Sequence, residues 1–135
     1  MRNSLVKLLS QKKKTLVIGT LNITPDSFYD GGLYFNNVEN AIKQVGLMIK
    51  AGADIIDIGG ESTRPGSLPV SAQEEARRVL PVIDAVRRKF DRKIIISIDT
   101  NKAEVAEAAI LAGANIVNSL GGFTFDTNLA KVVAR

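Results

Sequence analysis

Cysteine and histidine are both absent from this chain. Without cysteine there is no disulfide framework and no thiolate nucleophile, and the composition is compatible with a reducing cytoplasm. Without histidine, Ser-His-Asp triads, histidine metal sites and the usual near-neutral proton shuttle are excluded. Any chemistry falls to carboxylates, Lys, Arg, amides and hydroxyls. Long apolar runs are lacking too. No stretch approaches the roughly 20 residues of a membrane span, and the start MRNSLVKLLSQKKK has neither the apolar region nor the small-residue cleavage site of a signal peptide. A cytoplasmic protein is expected. The net charge of +4 is not gathered into a patch: Lys and Arg are scattered except in the run Lys12, Lys13, Lys14, and no RNA-type aromatic motif lies beside it. A solvated surface is the plain reading of that run, with no nucleic-acid or membrane partner.

What is present is enough for one ordinary domain with a core, since 45% of the 135 residues are hydrophobic and 24% charged. Leu16 to Leu21 is a compact β-branched and Leu run, the pattern of a strand buried on both faces. Ile55 to Ile58 and Ile94 to Ile98 look alike, and Ile116 to Asn118 is a shorter fourth candidate. Helical spacing intervenes in Val38, Ile42, Val45 and Ile49, in Val79, Val82, Ile83 and Val86 after the capping box Ser71-Ala72-Gln73-Glu74, and in Val105, Ala108, Ala109 and Ala112. This alternation predicts an α/β chain of parallel βα units. Two stretches echo each other, AGADIIDIGG at 51 to 60 and AGANIVNSLGG at 112 to 122, each with a glycine, Gly52 or Gly113, suited to a left-handed helix end.

Each strand also ends in a polar residue: Asn22, then Asp57 and Glu61, then Asp99, then Asn118. The carboxyl ends of successive parallel strands are where an α/β barrel or open α/β sheet builds its site. The first loop, LNITPDSFYDGG at 21 to 32, holds turn formers, yet its length and Phe28 also suit a lid over a substrate. Asn22 and Asp30 offer the hard oxygen ligands that Mg²⁺ accepts when a phosphate supplies the rest of its shell. The second, GGESTRPG at 59 to 66, is either an ordinary connection with a surface Arg or a phosphate loop of glycines, Ser62, Thr63 and Arg64. It does not match the Walker pattern. In SIDT at 97 to 100, Asp99 could accept hydrogen bonds from an amino-pyrimidine-like edge or cap the next helix at Asn101 or Lys102. Asn118 can both donate and accept, which suits a heterocycle with mixed edges.

These motifs, with SIDTNKAEVAEAAILAGANIVN, resemble in order and spacing the N-terminal half of the dihydropteroate synthase family, from about Leu16 to Asn118. The resemblance implies half of a TIM barrel, a (βα)4 unit of four strands with outer helices. It implies a transferase of folate biosynthesis that joins 6-hydroxymethyl-7,8-dihydropterin pyrophosphate to p-aminobenzoate. By position, Asn22 and Asp30 would hold Mg²⁺-pyrophosphate as metal and catalytic residues. Thr63 and the catalytic Arg64 would hold the pyrophosphate, Phe28 and Pro65 would wall the p-aminobenzoate pocket that sulfonamides occupy, and Asp99 and Asn118 would bind the pterin. The chain departs from the pattern at Ser119, where the family usually has Asp. A full barrel takes about 250 residues, so strands five to eight and their later pterin-binding residues are expected to be absent from these 135 residues. A half-barrel leaves an inner face and two edges open. Association into a homodimer, or with a separate C-terminal half, is therefore expected, the alternatives to an active enzyme being a pterin-binding module without catalysis or an assembly partner.

Overall fold

The computed structural model describes residues 10, 15–25, 37–63, 65–90 and 94–134. Lys12 to Lys14, Phe28, Asp30 and Arg64 lie outside the described residues. The elements run β1 (Ile18–Asn22), α1 (Val38–Lys50), β2 (Ile55–Gly59), α2 (Ala72–Lys89), β3 (Ile95–Asp99), α3 (Ala103–Ala112), β4 (Ile116–Asn118) and α4 (Leu129–Ala134). The strands form one parallel sheet in the order β1-β2-β3-β4, as the βα alternation requires.

Sequence determines most of these boundaries locally. Asn37 opens α1 by accepting from the Asn40 amide at 3.0 Å, and Ser71 opens α2 by accepting from the Glu74 amide at 3.1 Å, each satisfying one of the orphan donors of a first turn. Helix α3 ends at Gly113, whose φ of 117° suits glycine, while its amide returns to Ala109 and Ile110. Helix α2 continues through Pro81, which lies on its exposed side. The apolar stripe of Val79, Val82, Ile83 and Val86 holds it against the sheet.

One face of the sheet makes the core. Leu21, Ile56, Ile58, Ile96 and Ile98 point to the helices and pack with Ile42, Val45, Val79, Val82, Ile83, Val86, Val105 and Ala109. Successive strand residues point to opposite faces, so the other face carries Thr20, Asn22, Asp57, Gly59, Ser97, Asp99 and Asn118. No helix among the described residues lies on that side. This corrects the expectation that the first strand is buried on both faces. Leu21 is buried, but Ile18 is 57% exposed and Thr20 and Asn22 are also exposed, because β1 is an edge strand with one neighbour.

Candidate functional site

The register aligns the polar strand ends. Asn22 pairs with Gly59, Gly59 with Asp99, and Asp99 with Asn118, so these four positions form one row across the sheet. Two residues back, Thr20, Asp57 and Ser97 form the row beneath. Partners in register share a face, and the sheet therefore gathers Asn22, Asp57, Asp99 and Asn118, 96 positions apart at the extremes, onto a single patch. Gly59 sits between Asn22 and Asp99. A Cβ there would meet Asn22 Oδ1 at 3.5 Å and the Asp99 Cβ at 3.6 Å, so the glycine leaves open the space between the two polar side chains.

Asn118 donates through Nδ2 to Asp57 Oδ2 at 3.2 Å, which orients the amide. Asp57 is 7% exposed, and its other oxygen, Oδ1, is buried without a hydrogen-bond partner. Such an oxygen is costly to leave unmade in a folded chain. Burial, and then the neighbouring Asp57 and Glu75 carboxylates, push the Asp99 carboxyl up to about 6. Acceptors crowded together and short of donors are the complement of a ligand edge rich in N–H groups.

The capping role open to Asp99 falls to its neighbours. Thr100 Oγ1 takes the Lys102 amide at 3.2 Å, and Asp126 Oδ2 takes the Ala103 amide at 2.8 Å. The start of α3 is thus capped by other groups, and the Asp99 carboxyl is not needed for it.

Above β2 the chain forms a clasped loop. Glu61 Oε1 accepts from the Val70 amide at 2.9 Å, Ser67 donates to the Ser62 carbonyl at 2.6 Å, and Arg78 donates to the Gly60 carbonyl at 2.9 Å. Lys102 Nζ lies 2.7 Å from Glu61 Oε2 and 2.6 Å from Glu75 Oε2. Burial raises the Glu61 carboxyl, but the Lys102 and Val70 hydrogen bonds and the Lys102 and Arg78 charges together hold it below its ordinary value. The loop passes close over α2: a Cβ on Gly60 would come within 2.8 Å of Val79 Cγ1 and 3.2 Å of the Glu75 carbonyl oxygen. Thr63 and Pro65 project from this loop into solvent. Ser119 ties the far side, its hydroxyl 2.6 Å from Asn101 Oδ1 and 2.9 Å from the Gly122 carbonyl. A hydroxyl can donate there.

Of the residues singled out from the sequence, Asn22, Asp99 and Asn118 come together with Asp57, and Thr63 and Pro65 stand on the adjoining loop. Phe28, Asp30 and Arg64 are not placed. Among the described residues no three His, Cys, Asp or Glu side chains cluster as a metal cage. Asn22, exposed at the rim of β1, supplies one neutral oxygen. That fits a Mg²⁺ held largely by phosphate and water, which needs only one or two protein ligands. Sequence reasoning missed Lys102 and Glu75. A signal for Glu75 was available: it falls on the apolar stripe of α2 with Val79, Val82, Ile83 and Val86 and is fully buried, and a charge on such a stripe calls for a partner.

Comparison with known proteins meets the same residues. A family model described as pterin binding enzyme matches residues 18–135. The chain is 55% identical over 123 residues to the dihydropteroate synthase of Clostridium beijerinckii, covering 91% of itself and 45% of that protein. To that of Bacillus subtilis it is 51% identical over 126 residues, covering 93% and 43%. Among solved structures, it superposes on the dihydropteroate synthase of Clostridium difficile, determined in the presence of pteroic acid, with a TM-score of 0.81 and 52% identity over 90% of this chain and 45% of that one. The Yersinia pestis enzyme, in a sulfonamide drug complex, gives a TM-score of 0.80 at 44% identity over 88% and 43%. The chain thus spans less than half the length of the relatives it matches. The family model covers most of the chain, and the chain belongs to the family of pterin-binding enzymes.

Proposed function

We propose that this chain forms the first half of a dihydropteroate synthase, which condenses 6-hydroxymethyl-7,8-dihydropterin pyrophosphate with p-aminobenzoate to 7,8-dihydropteroate and pyrophosphate in the cytoplasm. The observation that carries this reading is the row of Asp99 and Asn118 over the half-satisfied Asp57. Its acceptors suit the donor-rich amino-pyrimidine edge of a pterin, with the clasped loop beside it for the pyrophosphate. In the reaction the methylene carbon–oxygen bond breaks and its electron pair leaves with pyrophosphate. The arylamine nitrogen then bonds to that carbon and gives up a proton. Asp99 and Asn118 hold the pterin edge, Thr63 and Arg64 receive the departing pyrophosphate, and Phe28 and Pro65 wall the arylamine and exclude water. Asn22 and Asp30 would hold Mg²⁺, which when bound supplies charge neutralisation at the pyrophosphate. On this reading sulfonamides compete for the arylamine pocket.

A second reading concerns assembly. The two edge strands, β1 and β4, each with one neighbour among the described residues, favour association with a second copy or with a C-terminal half-barrel. Calorimetry with pterin and a pyrophosphate-release assay on the purified chain, with and without a separately expressed C-terminal half, test both readings. Pterin binding with release of pyrophosphate, either alone or after the second half is added, is the expected result. A chain that binds no pterin under either condition sinks the functional reading, and a stable monomer at micromolar concentration by light scattering, alone and with the C-terminal half present, sinks the assembly one.

A further inference from the structure

The mechanism above gives no task to the ion cluster of Lys102, Glu61 and Glu75, although Glu75 is fully buried and its Oε1 has no partner. The cluster joins three parts of the chain: the neck of the loop after β2, the first turn of α2 and the residue that begins α3. Both Glu61 oxygens are engaged, one by the amide of Val70 at the far end of the loop and one by Lys102. Glu61 therefore closes the neck, and Lys102 fastens it to Glu75 on the rigid helix. Three residues before Lys102 in sequence lies Asp99, in the polar row. One side chain thus links the loop bearing Thr63 to the strand end bearing Asp99.

We infer that Lys102 is a positioning residue, which by bridging Glu61 and Glu75 fixes the loop segments 61–63 and 65–70 beside the strand ends, where Thr63 is placed for the pyrophosphate of a pterin bound at Asp99. Two carboxylates left facing each other without the ammonium repel, and one of them has no access to water. The loop neck then opens by displacement from α2. Small displacements of a group that must meet its ligand at hydrogen-bond distance weaken that contact strongly, while the strand row beneath, held by ladder bonds, stays in place.

This inference rests on the proposed function, and the experiment separates the two. The full chain, Lys102→Met and Lys102→Arg are titrated with inorganic pyrophosphate plus Mg²⁺, and separately with a pterin lacking pyrophosphate, while amide exchange is followed at Val70 and at Ile56. In Lys102→Met, pyrophosphate affinity falls about tenfold, equivalent to about 1.4 kcal/mol, and Val70 loses protection. Pterin affinity and Ile56 stay at the parent level, and Lys102→Arg restores pyrophosphate binding. Equal weakening of both ligands marks a purely structural role and overturns the inference, as does pyrophosphate affinity within twofold of the parent. Glu61→Gln, which keeps an acceptor for Val70 but removes the charge facing Lys102, covers the case in which Lys102→Met does not fold. It is expected to weaken pyrophosphate selectively, and an unchanged affinity overturns the inference. A parent chain that binds pterin but not pyrophosphate also overturns it, leaving the pterin reading intact. A parent that binds neither removes both.

Discussion

The two ends of the sheet treat their polar groups in opposite ways. At the amino end Arg87 reaches from α2 to the Gly113 carbonyl at 2.8 Å, the Ile94 carbonyl at 2.7 Å and the Asn115 side-chain oxygen, which also receives the Ile96 amide at 3.0 Å. Beside it Asp54 accepts from the Val17 amide at 3.0 Å and helps set where β1 starts. At the carboxyl end Asp57 keeps a buried oxygen unpaired and Asp99 is pushed up to about 6. One end spends its polar atoms on the chain's own backbone, and the other holds them ready for something else. In parallel α/β architectures these are the stabilising and the functional ends.

The largest effect is expected from breaking the first of these. Arg87→Ala removes the charged donor from the Gly113 and Ile94 carbonyls and from Asn115, a loss of about 2–4 kcal/mol measurable as a lower urea midpoint. Per folded molecule, pterin affinity should not change. An unaltered midpoint would mean that this end contributes no more than the other.

Asp99→Asn tests the functional end and should move in the other direction. Pterin affinity falls about tenfold or more by calorimetry, for lack of a charged acceptor. Stability instead rises slightly at neutral pH. The sign follows from the raised carboxyl: ionising it costs more in the folded state than in the unfolded one, so its destabilisation begins as pH passes the ordinary value of 3.8 and is complete above about 6. The melting gain of the variant should therefore be full at pH 7.5 and vanish near pH 4. Partial solvent exposure keeps it below about 1 kcal/mol. A variant less stable than the parent at pH 7.5 would remove the distinction between the two ends.

The smallest effect sharpens the contrast rather than breaking it. Asp126 stands near the carboxyl end, yet its oxygens accept from the Ala103 and Asn128 amides at 2.8 and 3.0 Å, and those bonds hold its carboxyl below the usual range. It should behave as a structural group despite its location. Asp126→Ala is expected to lower stability slightly, as for loss of a helix cap, with pterin affinity unchanged. This stabilisation is present above the ordinary carboxylate range and is lost as pH falls through the lowered folded value. Weakened pterin binding in Asp126→Ala would show that position, and not internal pairing, distinguishes the groups.

Legibility in the sequence follows the range of the interaction. Strands were found to within two residues, because a buried parallel strand announces itself as an isoleucine run. The Ser71 cap and the Gly113 helix end depend on neighbours three or four residues away, and both are where the local pattern places them. Asp99 was visible as a strand-end carboxylate, but that it does not cap α3 was not, since Asp126, 27 positions on, takes the Ala103 amide. Glu61 at its strand end and Glu75 on an apolar stripe each carried a local signal, but their cluster with Lys102 forms only when a loop and two helices meet.

By itself, then, the sequence determined the order of βα units, the helix ends and the motifs that place the chain among pterin-binding enzymes, because each depends on residue type over a few positions. Tertiary structure alone decided which carboxylate oxygens remain unpaired, which face of β1 is open and what fastens the loop after β2. Those outcomes depend on pairing across the sheet and between helices, where a group's partner is set by register and burial and not by its neighbours along the chain.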